Sequence, residues 1–355
     1  MMTCMGKPLC AGAPSVRLVR LDALLLCLLA LKAAAEPLDL QAAAVQQFIN
    51  DTVTKTHLDR QYISDTLKQA DTKASIIDAM DRPAEKTKAW FEYRSVFVTD
   101  KRIRDGIEFA KEHASQLTEI ENRTGVAKEI IVAIVGVETG YGQNMGKYRV
   151  LDSLSTLTFN YPARSSYFKS ELQEFLLLCK ENSIDPTVVL GSYAGAMGAP
   201  QFMPHSYRTL AKDGDHDGRI DLWNNWADIL ESVAHYFAVN GWHPHEGIVL
   251  TASLDNPDVS DLPANQLDSP QSLGALKHKG VHLESNNSDA TLGYFLALRE
   301  ADHIDYAVGL HNFYVITRYN RSPFYALAVT QIAQAIAQAN LNSTASPAHA
   351  SSTTH

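Results

Sequence analysis

Glu138 stands at the end of an apolar run, and its position is what gives it chemical interest. Ile130, Ile131, Ala133, Ile134, Val135 and Val137 leave almost no polar side to a helix here, and Gly140 and Gly142 mark its end. A glutamate in the last turn of such a helix meets desolvation and the negative pole of the helix, and both disfavour its ionised form. That is how a general acid is kept protonated near neutral pH. Taken by itself, the segment also fits a glutamate that turns to solvent or pairs with an arginine.

A second constellation lies at Asp213-Gly214-Asp215-His216-Asp217-Gly218-Arg219-Ile220-Asp221, with oxygen ligands at relative positions 1, 3, 5 and 9 and glycine at 6. Alternating carboxylates converge on one cation only if the loop turns sharply, which Gly218 permits. Position 12 is Asn224 in place of the bidentate glutamate, so Asp228 is expected to supply the later ligand. A lone loop of this kind suits a structural cation better than a sensor.

Ser192 to Pro204 combines small residues, which allow close backbone approach, with Tyr193, Gln201 and Phe202. This fits a cleft wall for a sugar chain, and it fits tight helix packing equally well. Arg164, after Tyr161-Pro162-Ala163, could meet a ligand carboxylate or simply be solvated. The aromatic stretch Trp90-Phe91-Glu92-Tyr93-Arg94 reads first as core, although a sugar-binding face needs aromatic surface too.

The elements that must position these groups are mostly helices. Helical apolar spacing covers 40–53, 59–69, 73–80 and 100–121, with Pro83 as a break, and returns at 166–181, 226–239 and 323–339. Residues 152–160 show mixed periodicity. Short β-prone runs alternate with Pro, Asp, Asn and Gly from 244 to 285, and strand signals return at 294–298. The expected fold is mainly α, with a region at 36–122 of N-terminal helices, a core at 123–243 carrying the cation loop 213–228, a small β-containing insert at 244–298 and a C-terminal part of the core at 299–339. Residues 340–355, rich in Ser, Thr and Ala, read as a disordered tail.

At 355 residues, with 45% apolar and 20% charged residues, the chain has the composition of a globular protein with a sizeable core. Residues 1–35 differ: Arg17 and Arg20 precede the apolar run 23–31 and Ala33-Ala34-Ala35, the pattern of an export signal too short to cross a bilayer. Cys4, Cys10 and Cys27 fall in this leader, and Cys179 is left alone on a helical apolar face. Leu24-Leu25-Leu26 puts a bulky residue where a lipoprotein signal has a small one, so a soluble periplasmic form is expected, with association to membrane or wall left open. Of 31 basic and 40 acidic residues, four and one lie in the leader, leaving a net charge of −12 on the remainder. Nucleic acid is therefore a poor partner, and any anionic ligand must be held by local arginines.

Taken together, the segments Gly-Val-Glu-Thr-Gly-Tyr-Gly at 136–142, Asn-Met-Gly-Lys at 144–147, Phe-Asn-Tyr-Pro-Ala-Arg at 159–164, Gly-Ser-Tyr-Ala-Gly-Ala-Met-Gly at 191–198, Gln-Phe-Met-Pro at 201–204, the acidic loop, and His-Asn-Phe-Tyr-Val-Ile-Thr-Arg-Tyr-Asn-Arg-Ser at 311–322 resemble the lytic murein transglycosylases of the membrane-bound B group. The resemblance covers most of 85–340, in order. It implies a lysozyme-like helical core and nonhydrolytic cleavage of the β-1,4 bond between N-acetylmuramic acid and N-acetylglucosamine in peptidoglycan. Glu138 would be the single acid and then base, its pKa raised by roughly a unit or two. No catalytic cofactor is implied, and a monomer acting on glycan strands, with other cell-wall enzymes as further partners, is expected.

By the same resemblance Ser192 and Asn320 position the N-acetyl group and the reacting sugar, while Gln201, Phe202, Tyr93, Tyr319 and Tyr325, with Tyr141 and Tyr193, line the saccharide cleft. Arg164 meets the stem peptide, but Ala163 stands where a second arginine is expected. Gly140 and Ala199 replace aromatic residues, which would widen the cleft. Asp213, Asp215, Asp217, Asp221 and Asp228, with the Arg219 carbonyl, would hold calcium or sodium. Two rival readings predict different outcomes: a lysozyme-type muramidase would leave reducing ends, and a noncatalytic peptidoglycan-binding scaffold would be indifferent to Glu138→Gln.

Overall fold

The computed structural model describes residues 35–82, 88–255 and 261–345, with side chains as far as 342. The leader expected at 1–35, its last residue apart, and the end of the expected tail lie outside the described residues. None of the described helices is long and apolar enough to cross a membrane.

The chain opens with β1 (Glu36–Pro37), α1 (Ala43–Thr56) and α2 (Arg60–Leu67), whose start is capped by the Asp59 carboxylate accepting from Tyr62 N–H at 3.1 Å. β1 pairs antiparallel with β2 (Asp71–Thr72), and α3 (Ala74–Met80) and α4 (Trp90–Phe97) follow. The single helix expected at 100–121 is two, α5 (Asp100–Glu112) and α6 (Ala114–Thr124). His113 leaves helical geometry between them (φ −103°, ψ 18°). The turn brings its ring to 4.4 Å from Phe109 and 5.7 Å from Trp226, a contact that apolar spacing alone does not reveal.

α7 (Lys128–Thr139) runs through the middle of the helical body, packed against α5, α6 and two later helices, with Ile130 to Val137 all buried. β3 (Tyr148–Arg149) leads into α8 (Val150–Asn160), buried continuously from Val150 to Thr158. Its mixed periodicity is thereby explained: a helix enclosed on all sides has no polar stripe to report it. A 3-10 turn at Pro162–Arg164 precedes α9 (Ser165–Glu181), where Cys179 is buried. β4 (Leu190–Gly191) pairs with β3, and α10 (Pro204–Leu210) and α11 (Trp226–Val239) complete this part. Asp152, fully buried in α8, accepts from Lys73 Nζ at 2.6 Å, Arg149 Nε at 2.8 Å and Asp71 N–H at 3.0 Å, which ties the N-terminal helices to the core.

The β unit contains β5 (Val249–Leu254), β6 (Gln271–Ser272), α12 (Leu273–His278), β7 (Val281–Leu283), β8 (Leu292–Arg299) and β9 (Ile304–Gly309). Its antiparallel order is β6-β8-β9-β5-β7, around a small core of its own that includes Leu273, Phe295 and Val308. The sheet thus extends beyond the expected limit at 298 to Gly309, because β9 is the central partner of both β5 and β8. α13 (His311–Tyr319) and α14 (Pro323–Ala345) return to the helical body. Residues 340–345, expected to be disordered, continue α14.

Candidate active site

Glu138 lies in the last turn of α7, half-buried, and its neighbour across the molecule is Tyr325 of α14. The Tyr325 hydroxyl donates to Glu138 Oε1 at 2.6 Å. The ring stacks at 6.5 Å and 12° on Tyr319, whose own hydroxyl donates to the Pro200 carbonyl at 2.6 Å. Burial, and then the Glu138 carboxylate, push both phenols well above the ordinary tyrosine value. They are therefore fixed hydrogen-bond donors at any ordinary pH, and Tyr325 cannot serve as a competing base.

The end of α7 is anchored by a residue that sequence reading passed over. Thr139, buried beside Glu138, donates to the Ala199 carbonyl at 2.9 Å and accepts from Gly142 N–H at 3.0 Å. It joins the acid's helix to the 192–204 segment. A small hydroxyl next to the acid was the only signal for it.

That segment is a tightly cross-bonded loop. Ser192 Oγ accepts from Ala196 N–H at 3.0 Å and Ala194 N–H at 3.3 Å, and Met197 and Phe202 exchange backbone bonds at 2.8 and 3.0 Å. Gln201, at φ 51°, donates Nε2 to Gly198 O at 2.9 Å and Met145 O at 3.2 Å, so it pins the 144–147 loop to the 198–202 turn. Gly146 closes the other side at φ +95°, where an added Cβ would lie 2.0 Å from the Gly191 carbonyl oxygen. Asn320 follows α13 in an extended conformation (φ −139°, ψ 121°) and is half-buried, while Tyr193 is exposed.

Several expected sugar-stacking rings do other work. Tyr93 is buried against Trp90, Phe97 and Phe324, so the core reading of that aromatic stretch holds and no ring face is left for a sugar. Phe202 is buried against Tyr236 and Tyr319. Tyr325 is buried and acts through its hydroxyl. Tyr141, at φ 61°, passes its ring beneath Gly106 and Gly136 and donates to the Arg102 carbonyl at 2.8 Å, a packing role that both glycines exist to admit. Arg164 is exposed, its guanidinium lying 4.6 Å over Tyr167 and 5.1 Å over Phe168.

In the acidic loop, Asp213, Asp215 and Asp228 bring carboxylate oxygens within 4.8 Å of one another. Asp228 is fully buried and organises the loop, its two oxygens accepting from Gly214 N–H at 2.8 Å and Asp221 N–H at 2.7 Å. Burial raises its pKa, while the Asn225 amide lowers that of Asp215. Asp217 and Asp221 lie outside this group: one Asp217 oxygen accepts from Arg219 N–H, and Asp221 turns both of its oxygens to the 223–224 segment. Three hard oxygen donors around a turn at Gly218 (φ +87°) fit a cation such as calcium.

Comparison with known proteins matches this geometry to one family. A model described as transglycosylase SLT domain matches residues 40–334. The chain is 39% identical over 305 residues to membrane-bound lytic murein transglycosylase B of Escherichia coli (strain K12), covering 83% of each. Among solved structures, the catenated lytic transglycosylase SltB1 from Pseudomonas aeruginosa superposes with a TM-score of 0.80 at 43% identity, over 84% of this chain and 98% of that one. The Escherichia coli lytic transglycosylase Slt35 in complex with calcium gives 0.78 at 37% identity, over 88% and 98%.

Proposed function

The chain belongs to the transglycosylase SLT family and is a lytic murein transglycosylase acting on peptidoglycan, and from that premise we propose that Glu138 is its one acid and base. The protonated carboxyl gives its proton to the glycosidic oxygen as the C1–O bond breaks, releasing N-acetylglucosamine with a free hydroxyl. The carboxylate then takes the proton of the muramic acid 6-hydroxyl as that oxygen closes onto C1. Glu138 is returned protonated, no water is consumed, and the product carries a 1,6-anhydro end.

The observation that carries this reading is the carboxyl's setting. Glu138 is half-buried at a helix C-terminus, where the helix pole disfavours the ionised form, and the Tyr325 hydroxyl donating to Oε1 fixes the carboxyl's orientation for proton exchange with substrate. Ser192 and Asn320, on loops bonded to the same helix end and the same aromatic group, are the residues that orient the N-acetyl group and the reacting sugar. Gln201 acts indirectly, by fixing the loops. Tyr193, exposed at the loop tip, supplies a ring that can meet the glycan, and Arg164 is placed to meet the stem peptide.

A structural cation fits the loop at Asp213, Asp215 and Asp228; calcium is the ion present with the Slt35 relative. When bound it supplies charge neutralisation that fixes the loop. The leader directs the protein to the periplasm, where the glycan strands of peptidoglycan are its partner.

The test is mass spectrometry of muropeptides released from purified peptidoglycan by the protein and by Glu138→Gln. Products lighter by one water than the hydrolytic ones, absent with the variant, are expected. Reducing ends would make the enzyme a muramidase, and binding without release by either protein would make it a scaffold.

A further inference from the structure

Beside the aromatic group that supports Glu138 lies a cavity of about 170 Å³ lined by Tyr236, Leu267, Tyr314, Thr317, Arg318 and Arg321. We propose that it is an anion-reading extension of the same cleft, which takes a carboxylate of the peptide carried by the substrate. The proposal rests on the reading of the site given above.

Its walls are fixed. The Tyr236 hydroxyl donates to the Arg318 carbonyl at 2.6 Å, holding the end of α13. Tyr314 stacks on Tyr294 at 5.2 Å and 7°. Thr317, buried, donates to the Tyr314 carbonyl at 2.6 Å. The wall backs onto the aromatic group beneath Glu138: Tyr236 packs at 4.7 Å on Tyr319 and 5.8 Å on Phe202, and Arg318 precedes Tyr319 in α13.

Its charge is unusual for this molecule. The chain carries nine more acidic than basic residues, yet among the described residues no carboxylate lines the cavity. Arg321 is paired with Asp268 at the rim, while Arg318 makes no ion pair among the described residues, so a net positive charge faces the space. The planar fork of a guanidinium matches a carboxylate with two parallel bonds, which favours that anion over a point contact. In peptidoglycan with its peptides in place, the free carboxylates lie on the peptide and not on the glycan backbone. A ligand held at Glu138 therefore carries its anionic groups on the peptide, the class of anion that the guanidinium of this cavity matches.

The experiment compares kcat/KM on glycan strands bearing their peptides with that on strands stripped by an amidase, which keep only the lactyl carboxylate. Wild type is expected to prefer peptide-bearing strands, and Arg318→Ala to reduce that preference about tenfold, through KM, as suits loss of a hydrogen-bonded charge pair. Arg318→Lys, which keeps the charge and loses the fork, gives an intermediate preference and serves as the reading if the alanine variant does not fold. An unchanged preference, or equal loss on both polymers, overturns the proposal while leaving the transglycosylase reading intact. Wild type that cleaves neither polymer overturns both.

Discussion

Tyr325 and Glu138 share a hydrogen bond of 2.6 Å across the two helices that meet at the centre of the molecule, with the phenol as donor and Oε1 as acceptor. The bond fixes the orientation of the carboxyl. Because burial and the adjacent carboxylate keep the phenol protonated, the donor persists through both protonation states of the acid.

Tyr325→Phe should therefore lower kcat while leaving the fold intact, since the ring and its packing are retained. A hydrogen bond to a charged group contributes about 1.5–3 kcal/mol, which corresponds to roughly a 10- to 150-fold loss. Turnover of peptidoglycan with a parallel thermal melt checks this. A kcat equal to wild type would mean that the bond does not position the acid.

Gly146→Ala should destabilise the protein and damage catalysis together. At φ +95° a side chain is strained, and the new methyl would meet the Gly191 carbonyl at 2.0 Å, backbone that cannot swing aside. Separation of β3 from β4 would move Ser192, the next residue along. A loss of at least about 2 kcal/mol in urea unfolding is expected. A stable, fully active variant would show that this pairing does not set the cleft.

What could be read from the sequence follows from how local the signal was. α7 was legible because an unbroken apolar run ended at an acid and two glycines. The acidic loop was legible in part: Asp213 and Asp215 follow from the consecutive spacing and Asp228 from the missing position-12 glutamate, whereas Asp217 and Asp221 lie outside the converging group because their oxygens cap neighbouring backbone. The roles of Tyr93, Tyr141 and Tyr325 were not, since a tyrosine beside a cleft and one beneath it look identical until the partners of ring and hydroxyl are known. Tyr325 finds Glu138 across 187 residues, and Tyr141 needs Gly106 and Gly136 from two helices. Thr139 was missed for the same reason: its partner, Ala199, is 60 residues away.

Glu171 gives a pH-dependent prediction. It is buried in α9, with one oxygen accepting from His205 N–H at 3.0 Å, and burial raises its pKa above the ordinary glutamate value of 4.5. A raised acid contributes its full stability below pH 4.5 and loses it as the pH climbs through the folded-state value. Glu171→Gln keeps an acceptor for His205 and removes the charge. It should melt above wild type at pH 7, and the gain should vanish below pH 4.5. A variant less stable than wild type at pH 7 would mean that the ionised form is favoured by contacts that outweigh its burial.

The cation loop should couple metal to stability and leave the chemistry untouched. Asp213, Asp215 and Asp228 converge, yet Glu138 is held by a separate set of contacts through Tyr325 and Thr139. Calcium at 100 times its Kd would add about 2.7 kcal/mol to the folded state, roughly 5 °C in Tm for a chain of this size. Asp228→Asn should remove most of that increment, because one oxygen that accepts a loop N–H becomes an amide donor and the buried negative charge is lost. Melting the wild type and the variant with chelator and with calcium checks both statements. A wild-type Tm indifferent to calcium would argue against a structural ion. A kcat that tracks calcium occupancy at a temperature far below Tm would place the loop in control of the cleft, since Leu222, one residue beyond Asp221, receives the Ala199 N–H whose carbonyl binds Thr139.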